Sequence, residues 1–163
     1  MKNGLVIADS GPIISLAIID QLQILYQLFD EIKIPQAVWE EISINDSKKE
    51  HNKIITFFHD KIKPIKYFND LTFILDPGES ESVILYKELN ADFLLIDDKK
   101  ARIIAENFGV KCIGTIGILS RAKSIGLIEN LRPLFLEFLQ NKRFYSIELL
   151  NSILILNGEQ KIH

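Results

Sequence analysis

Short apolar runs alternate with helix-like segments along this chain, a pattern typical of an α/β fold with a parallel sheet. The runs are rich in Ile, Leu and Val and lack the strict alternation of a half-exposed strand, as expected for strands that are covered on both faces. The sequence therefore predicts a parallel sheet built from five strands: Leu5–Ala8, Glu31–Ile34, Ile62–Ile65, Phe93–Ile96 and Val110–Ile113.

Helical segments are predicted between and after these runs. One begins near Gly11 and continues to Phe29 with an interruption near Asp20, and another begins after Pro35. The remaining segments are predicted over residues 76–89, 99–109, 114–126, 131–141 and 146–159. Because no repeat or linker-like stretch divides the sequence, we predict a single domain over 1–163 that the C-terminal helices from about residue 115 complete.

Composition narrows the class of protein. A net charge of -3 and a pI near 5.6 argue against a dedicated duplex-DNA binder, although an acidic site that attracts divalent cations can still act on phosphates. The single cysteine, Cys112, cannot form an internal disulfide, which suits a reducing compartment. No signal peptide or membrane-spanning stretch is recognisable, so we expect a cytoplasmic protein without a membrane partner.

Acidic residues stand directly after two of the predicted strands. Asp9 follows the first strand, and Asp97 and Asp98 follow the fourth. Because the carboxyl ends of parallel strands meet at one edge of a sheet, these carboxylates converge if the two strands are neighbours. Two helices offer further candidates: Glu41 flanks the inward stripe of one helix, and Glu81 lies beside the apolar residues of another.

Crowded carboxylates repel one another, and their charge needs a counterion. Mg²⁺ and Mn²⁺ favour oxygen ligands, and such ions position a water nucleophile and stabilise the leaving oxygen in phosphodiester cleavage. Taken singly, each acid also has a plainer interpretation. Asp9 and the pair Asp97 and Asp98 are typical helix caps, and Glu41 is typical of a surface residue.

Two long segments resemble the PIN-domain superfamily, specifically its uncharacterised VapC-related branch. The first is VIADSGPIISLAIIDQLQILYQLFDEIKIPQAVWEEI, and the second is LDPGESESVILYKELNADFLLIDDKKARIIAENFGVKCIGTIGIL. The resemblance runs from about residue 4 to at least residue 140. It implies a three-layer α/β/α sandwich with a central, mostly parallel five-stranded sheet.

The resemblance also assigns residues to a metal-dependent nuclease site. It implies catalytic roles for Asp9, Glu41, Glu81 and Asp98, which with Asp97 would bind Mg²⁺ or Mn²⁺, and a supporting role for Ser10. Ile96 departs from the family pattern, because many relatives have Thr or Ser at this position. Three cations after the acidic pair are candidate contacts for substrate phosphate, with a solvated helix face as the alternative: Lys99, Lys100 and Arg102.

We therefore expect an endoribonuclease that cleaves phosphodiester bonds in single-stranded RNA. The resemblance further implies the toxin of a toxin–antitoxin pair, a homodimer, and a small antitoxin protein as partner. The alternative is a catalytically weak or inactive module that binds nucleic acid or protein. A nucleotide-binding fold is disfavoured because the sequence has no G-x-G-x-x-G or P-loop stretch, and a phosphatase is disfavoured because Gly11 stands where a second acid is needed.

Overall fold

Four parallel strands form the sheet in the computed structural model, which describes residues 2–44 and 46–163; Met1 and Asn45, within the predicted 1–163 domain, lie outside the described residues. The strands are β1 (Leu5–Ala8), β2 (Glu31–Lys33), β3 (Phe93–Leu95) and β4 (Cys112–Ile113). Their order in the sheet is β2-β1-β3-β4, and each neighbouring pair is parallel. Because β1 and β3 are neighbours, the strand ends that precede Asp9 and Asp97 meet at one edge.

The predicted fifth strand, Ile62–Ile65, is not confirmed. Ile62 forms only an isolated parallel bridge to Ile34, one residue beyond β2. The Ile34 N–H donates to the Lys61 carbonyl at 3.0 Å, and the Lys63 N–H donates to the Ile34 carbonyl at 2.8 Å. The chain enters a helix at Gln36, two residues after Ile34, so this strand offers no further residue for pairing beyond the bridge.

Helices connect the strands and continue after the last one. The predicted interruption near Asp20 is confirmed, since this residue has a φ of 55° between the first two helices. A 3₁₀ turn covers Leu71–Phe73. The α-helices of the described residues are α1 (Ser10–Ile18), α2 (Ile24–Leu28), α3 (Gln36–Ser43), α4 (His51–Phe58), α5 (Pro77–Glu88), α6 (Lys99–Asn107), α7 (Thr115–Ser124), α8 (Arg132–Gln140) and α9 (Ile147–Leu156).

Two apolar cores lie on opposite faces of the sheet. Successive residues of a strand point to opposite sides, and β1 accordingly places Val6 and Ala8 in the larger core and Ile7 in the smaller one. Residues of α1 to α4 and of α7 to α9 complete the larger core, and residues of α5 and α6 complete the smaller one. The result is the α/β/α layering that the sequence predicted. None of the helices within the described residues has the length and apolar character needed to cross a membrane.

Candidate active site

Asp9 is the most deeply buried acid at the edge of the sheet. Its backbone N–H donates to the Leu95 carbonyl at 2.9 Å, which fixes Asp9 beside the end of β3. The residue occupies the N-cap position of α1 in an extended conformation, yet its side chain makes no capping hydrogen bond. Only 6% of the residue is exposed, and its Oδ1 atom is buried without a hydrogen-bond partner. Such an orphaned carboxylate oxygen is costly and calls for a functional explanation.

The electrostatic surroundings of Asp9 are acidic. The pKa of Asp9 is raised from 3.8 to about 8, mainly by burial and in addition by the negative charges of Glu41, Asp76 and Glu79, against the opposing effect of the Ser10 N–H. The pKa of Glu79 is also raised, first by burial and then by the charges of Asp76, Asp98 and Glu41. Five carboxylates therefore share one electrostatic environment, which we call the acidic site: Asp9, Glu41, Asp76, Glu79 and Asp98.

The first turn of α5 holds two of these acids in place. Asp76 accepts a hydrogen bond from the Glu79 N–H at 2.8 Å, and Glu79 accepts one from the Asp76 N–H at 3.2 Å. This reciprocal pair is a capping box, and it begins α5 where the sequence predicted a helix from residue 76. The sequence did not reveal that the same carboxylates face Asp9. That information depends on how α5 packs against β1 and α3.

Glu41 reaches the acidic site because α3 lies close to the start of α5. Its carboxylate packs directly against Gly78, where a Cβ atom would overlap Glu41 Oε1. A side chain at this position would therefore displace the carboxylate end of the Glu41 side chain. Its neighbour Glu40 is exposed and accepts a hydrogen bond from Gln36 Nε2 at 3.3 Å.

Glu81 has a different environment from Glu79, although both belong to α5. Its Oε1 atom accepts a hydrogen bond from the Ala37 N–H at 3.2 Å, in the first turn of α3. This contact places the negative charge at the positive end of the α3 dipole. Neither Asp9 nor Glu79 has Glu81 among the main causes of its raised pKa. On α5, the acid coupled to Asp9 is thus Glu79.

The two acids after β3 also have different partners. Asp98 is the N-cap of α6, where its Oδ1 accepts a hydrogen bond from the Ala101 N–H at 2.8 Å, and its charge acts on Glu79. The Asp97 carboxylate instead accepts hydrogen bonds from the Thr115 N–H, the Thr115 hydroxyl and the Tyr145 hydroxyl, at 2.7, 2.7 and 2.6 Å. Asp97 is therefore anchored within the fold, and Asp98 belongs to the acidic site.

The remaining predicted residues flank this edge. Ser10, half-buried, directly follows Asp9 as the first residue of α1. Lys99 and Lys100 are exposed in the first turn of α6, beside Asp98. Arg102 is half-buried, and its Nη2 atom donates to the Ile96 carbonyl at 3.3 Å, so its guanidinium packs under the end of β3.

The donor set suits a hard divalent cation. Carboxylate oxygens are the ligands that Mg²⁺ and Mn²⁺ prefer, and a cation would offset the cost of ionising Asp9 beside other acids. Over residues 2–44 and 46–163, however, no three or more His, Cys, Asp and Glu side chains are arranged so that they could hold a metal ion. Gathering the acids around an ion therefore requires carboxylates such as Asp98, now bound to a helix N-terminus, to turn toward Asp9.

Comparison with known proteins shows a family match that covers most of the chain. A family model described as a PIN domain matches residues 5–159. The matched span includes every member of the acidic site and helices α1 to α9. Among curated proteins, none matches the chain.

Proposed function

Since this chain belongs to the PIN-domain family, whose members are generally metal-dependent nucleases, we propose that it hydrolyses phosphodiester bonds in single-stranded RNA with Mg²⁺ or Mn²⁺. The observation that carries this proposal is the buried Asp9 carboxylate, which has an unpartnered oxygen and three further acids, Glu41, Asp76 and Glu79, in its electrostatic environment. A buried carboxylate oxygen without a hydrogen-bond partner at the carboxyl edge of a parallel sheet supports a role in binding a ligand.

The proposed ligands are Asp9, Glu41 and Asp98, together with one acid of α5. Glu79 is the first candidate on that helix because it is coupled to Asp9, and Glu81 is the alternative that the family pattern indicates. When bound, the cation would supply an activated water and charge stabilisation at the leaving oxygen. We propose Lys99 and Lys100, exposed in the first turn of α6, as contacts for a neighbouring phosphate of the substrate, and Ser10, in the first turn of α1, as a residue that supports Asp9.

Cleavage of a fluorescent single-stranded RNA in the presence of Mn²⁺ tests the proposal. We expect wild-type protein to cleave the RNA, Asp9→Asn to abolish cleavage, and EDTA to abolish it in the wild type. Glu40→Gln is the matched control for Glu41→Gln, because the two acids are neighbours on α3 but Glu41 contacts Gly78 of α5 whereas Glu40 is hydrogen-bonded to Gln36. Equal cleavage by wild type and Asp9→Asn would refute the proposed site.

Two substitutions separate the candidate ligands on α5. We expect Glu79→Gln to weaken Mn²⁺ binding in calorimetry. Glu81→Gln retains an oxygen that can accept the hydrogen bond from the Ala37 N–H, and we expect it to bind Mn²⁺ like the wild type. The reverse result would assign the ligand to Glu81, in agreement with the family pattern.

A binding module without catalysis is the second candidate function. Its support is that the acids Asp76, Glu79 and Asp98 each make hydrogen bonds at a helix N-terminus. A wild-type protein that binds single-stranded RNA but neither binds Mn²⁺ at millimolar concentration nor cleaves the RNA would favour the module over the nuclease.

We propose, finally, that the protein acts in the cytoplasm as the toxin of a toxin–antitoxin pair, as a homodimer that a small antitoxin protein inhibits. This proposal rests on the resemblance of the two sequence segments quoted above to the VapC-related branch. Induced expression should then arrest bacterial growth, and Asp9→Asn should remove the arrest. Sedimentation of the purified chain tests the dimer.

A further inference from the structure

A chain of hydrogen bonds links the C-terminal part of the protein to the edge of the sheet that carries the acidic site. Arg143 Nε donates to Ser15 Oγ at 2.9 Å, and Arg143 Nη2 donates to the Gly11 carbonyl at 3.0 Å. The Ser15 and Tyr145 hydroxyl oxygens are 2.7 Å apart. Tyr145 in turn donates to Asp97 Oδ2 at 2.6 Å. We call these four side chains the Tyr145 network: Arg143, Ser15, Tyr145 and Asp97.

The network has a single consistent direction. The Tyr145 proton is directed at Asp97, so the bond between the two hydroxyls requires that Ser15 donates to Tyr145. The Ser15 proton is available for this bond, because Ser15 Oγ acts as the acceptor in its other hydrogen bond, from Arg143 Nε. Two neutral hydroxyls thus connect a cation to an anion, an arrangement in which each hydrogen bond polarises and strengthens the next.

The members of the network are held firmly by their surroundings. Ser15 is fully buried, and so is Thr115, which supplies two further hydrogen bonds to Asp97. The Tyr145 ring packs against Phe138 of α8, with ring centroids 4.9 Å apart. Burial and the neighbouring charge of Asp97 raise the pKa of Tyr145 to about 12, so its hydroxyl keeps its proton at neutral pH.

The Tyr145 network joins the two elements that position Asp9 and Asp98 of the acidic site. Ser15 lies on α1, the helix that Asp9 precedes, and Asp97 lies at the end of β3, directly before Asp98. A shift of α1 relative to the end of β3 would change the separation of Asp9 and Asp98. We propose that Tyr145 is a positioning residue of the acidic site. By linking Ser15 to Asp97, Tyr145 fixes Asp98 relative to Asp9; this inference rests on the nuclease function proposed above.

Tyr145→Phe tests the proposal, because it removes one hydroxyl and keeps the aromatic ring against Phe138. Tyr86→Phe is the matched control. Tyr86 is also buried, but it lies in the core on the other face of the sheet, where its hydroxyl accepts a hydrogen bond from the Lys111 N–H at 3.3 Å. Calorimetry measures the Mn²⁺ affinity of each variant. Cleavage assays give the Mn²⁺ concentration for half-maximal RNA cleavage and the KM for RNA. Thermal unfolding in EDTA gives the midpoint of the metal-free protein.

We expect Tyr145→Phe to weaken Mn²⁺ binding about tenfold, the lower end of the range for residues that orient metal ligands, and to leave the KM for RNA unchanged. Tyr86→Phe should bind Mn²⁺ like the wild type. Ser15→Ala breaks the same network from the other side and should reproduce the loss of affinity, and the double variant should be no worse than either single variant.

A lower thermal midpoint with unchanged Mn²⁺ affinity in both Tyr145→Phe and Ser15→Ala would overturn the positioning role and leave the proposed nuclease intact. A wild-type protein that does not bind Mn²⁺ would overturn the nuclease and this inference together. If Tyr145→Phe does not fold, the Mn²⁺ affinity of Ser15→Ala decides the question.

Discussion

Substituting Asp9 with Asn should change how the stability of the metal-free protein depends on pH. The substitution replaces a buried carboxylate by an amide of nearly the same shape, so it removes the ionisable group without opening a cavity. The wild-type carboxyl group has a pKa of about 8 in the folded protein and 3.8 as its reference value, with burial as the main cause. Asn at this position cannot ionise at any pH.

The sign and size of the effect follow from linkage. Below pH 3.8 the group is protonated in both states, so its contribution to stability is fully present there and is lost as the pH rises toward 8. With about 1.4 kcal/mol for each pKa unit, the wild type loses about 3 kcal/mol of unfolding free energy between pH 5 and pH 7.5 through Asp9 alone. That is a large part of the about 5–15 kcal/mol that stabilises a typical domain.

Urea unfolding in EDTA at pH 5 and at pH 7.5 measures this effect. The free energy of unfolding of Asp9→Asn relative to the wild type should rise by about 3 kcal/mol between the two pH values, because all other titrating groups are common to both proteins. Asp70→Asn, at an exposed position, is the matched control and should show no such change. A difference between Asp9→Asn and wild type that is the same at both pH values would refute the buried, acidic environment of Asp9.

Two further substitutions test contacts of the fold. Gly78→Ala places a Cβ atom where Glu41 Oε1 lies, so it should displace the Glu41 carboxylate and weaken Mn²⁺ binding in calorimetry; unchanged affinity would argue against Glu41 as a ligand. Glu159→Gln should lower the thermal midpoint at pH 7 and have a vanishing effect well below pH 4.5. Although burial raises the pKa of Glu159, hydrogen bonds from the Leu131 and Arg132 N–H groups and from Lys123 lower it overall, so its contribution is present at neutral pH and is lost as the pH falls. A pH-independent effect of Glu159→Gln would contradict this account.

The strands and most helices could be predicted because their local patterns agree with their tertiary environment. The buried β1 and the capping box of α5 are examples. The prediction of a strand over Ile62–Ile65 was not confirmed because its only pairing is the single bridge to Ile34, after which the neighbouring chain turns into α3 at Gln36. Helix α4 was not among the predicted helices, although Ile54, Phe57 and Phe58 have helical spacing and form its buried face.

The acidic site could be predicted only in part, for a physical reason. Asp9 and Asp98 follow strands, so the topology of a parallel sheet is enough to bring them to one edge. The sequence explains Asp76 and Glu79 as residues that begin a helix. It does not indicate that α5 lies where the charges of these two residues act on Asp9. The contrast between Asp97 and Asp98 depends on Thr115 and Tyr145, which are distant in sequence.

The bond between Ser15 and Tyr145 spans 130 positions of the chain, and this separation has a consequence for biosynthesis. Translation produces Asp9 and α1 early and Tyr145 late, and a nascent chain begins to fold before it is released. Until the ribosome has passed Tyr145, α1 and β3 can pack together without the hydroxyl that links them. If Tyr145 sets the separation of Asp9 and Asp98, and if the acidic site binds metal as proposed, the nascent chain binds that metal weakly until Tyr145 has left the ribosome.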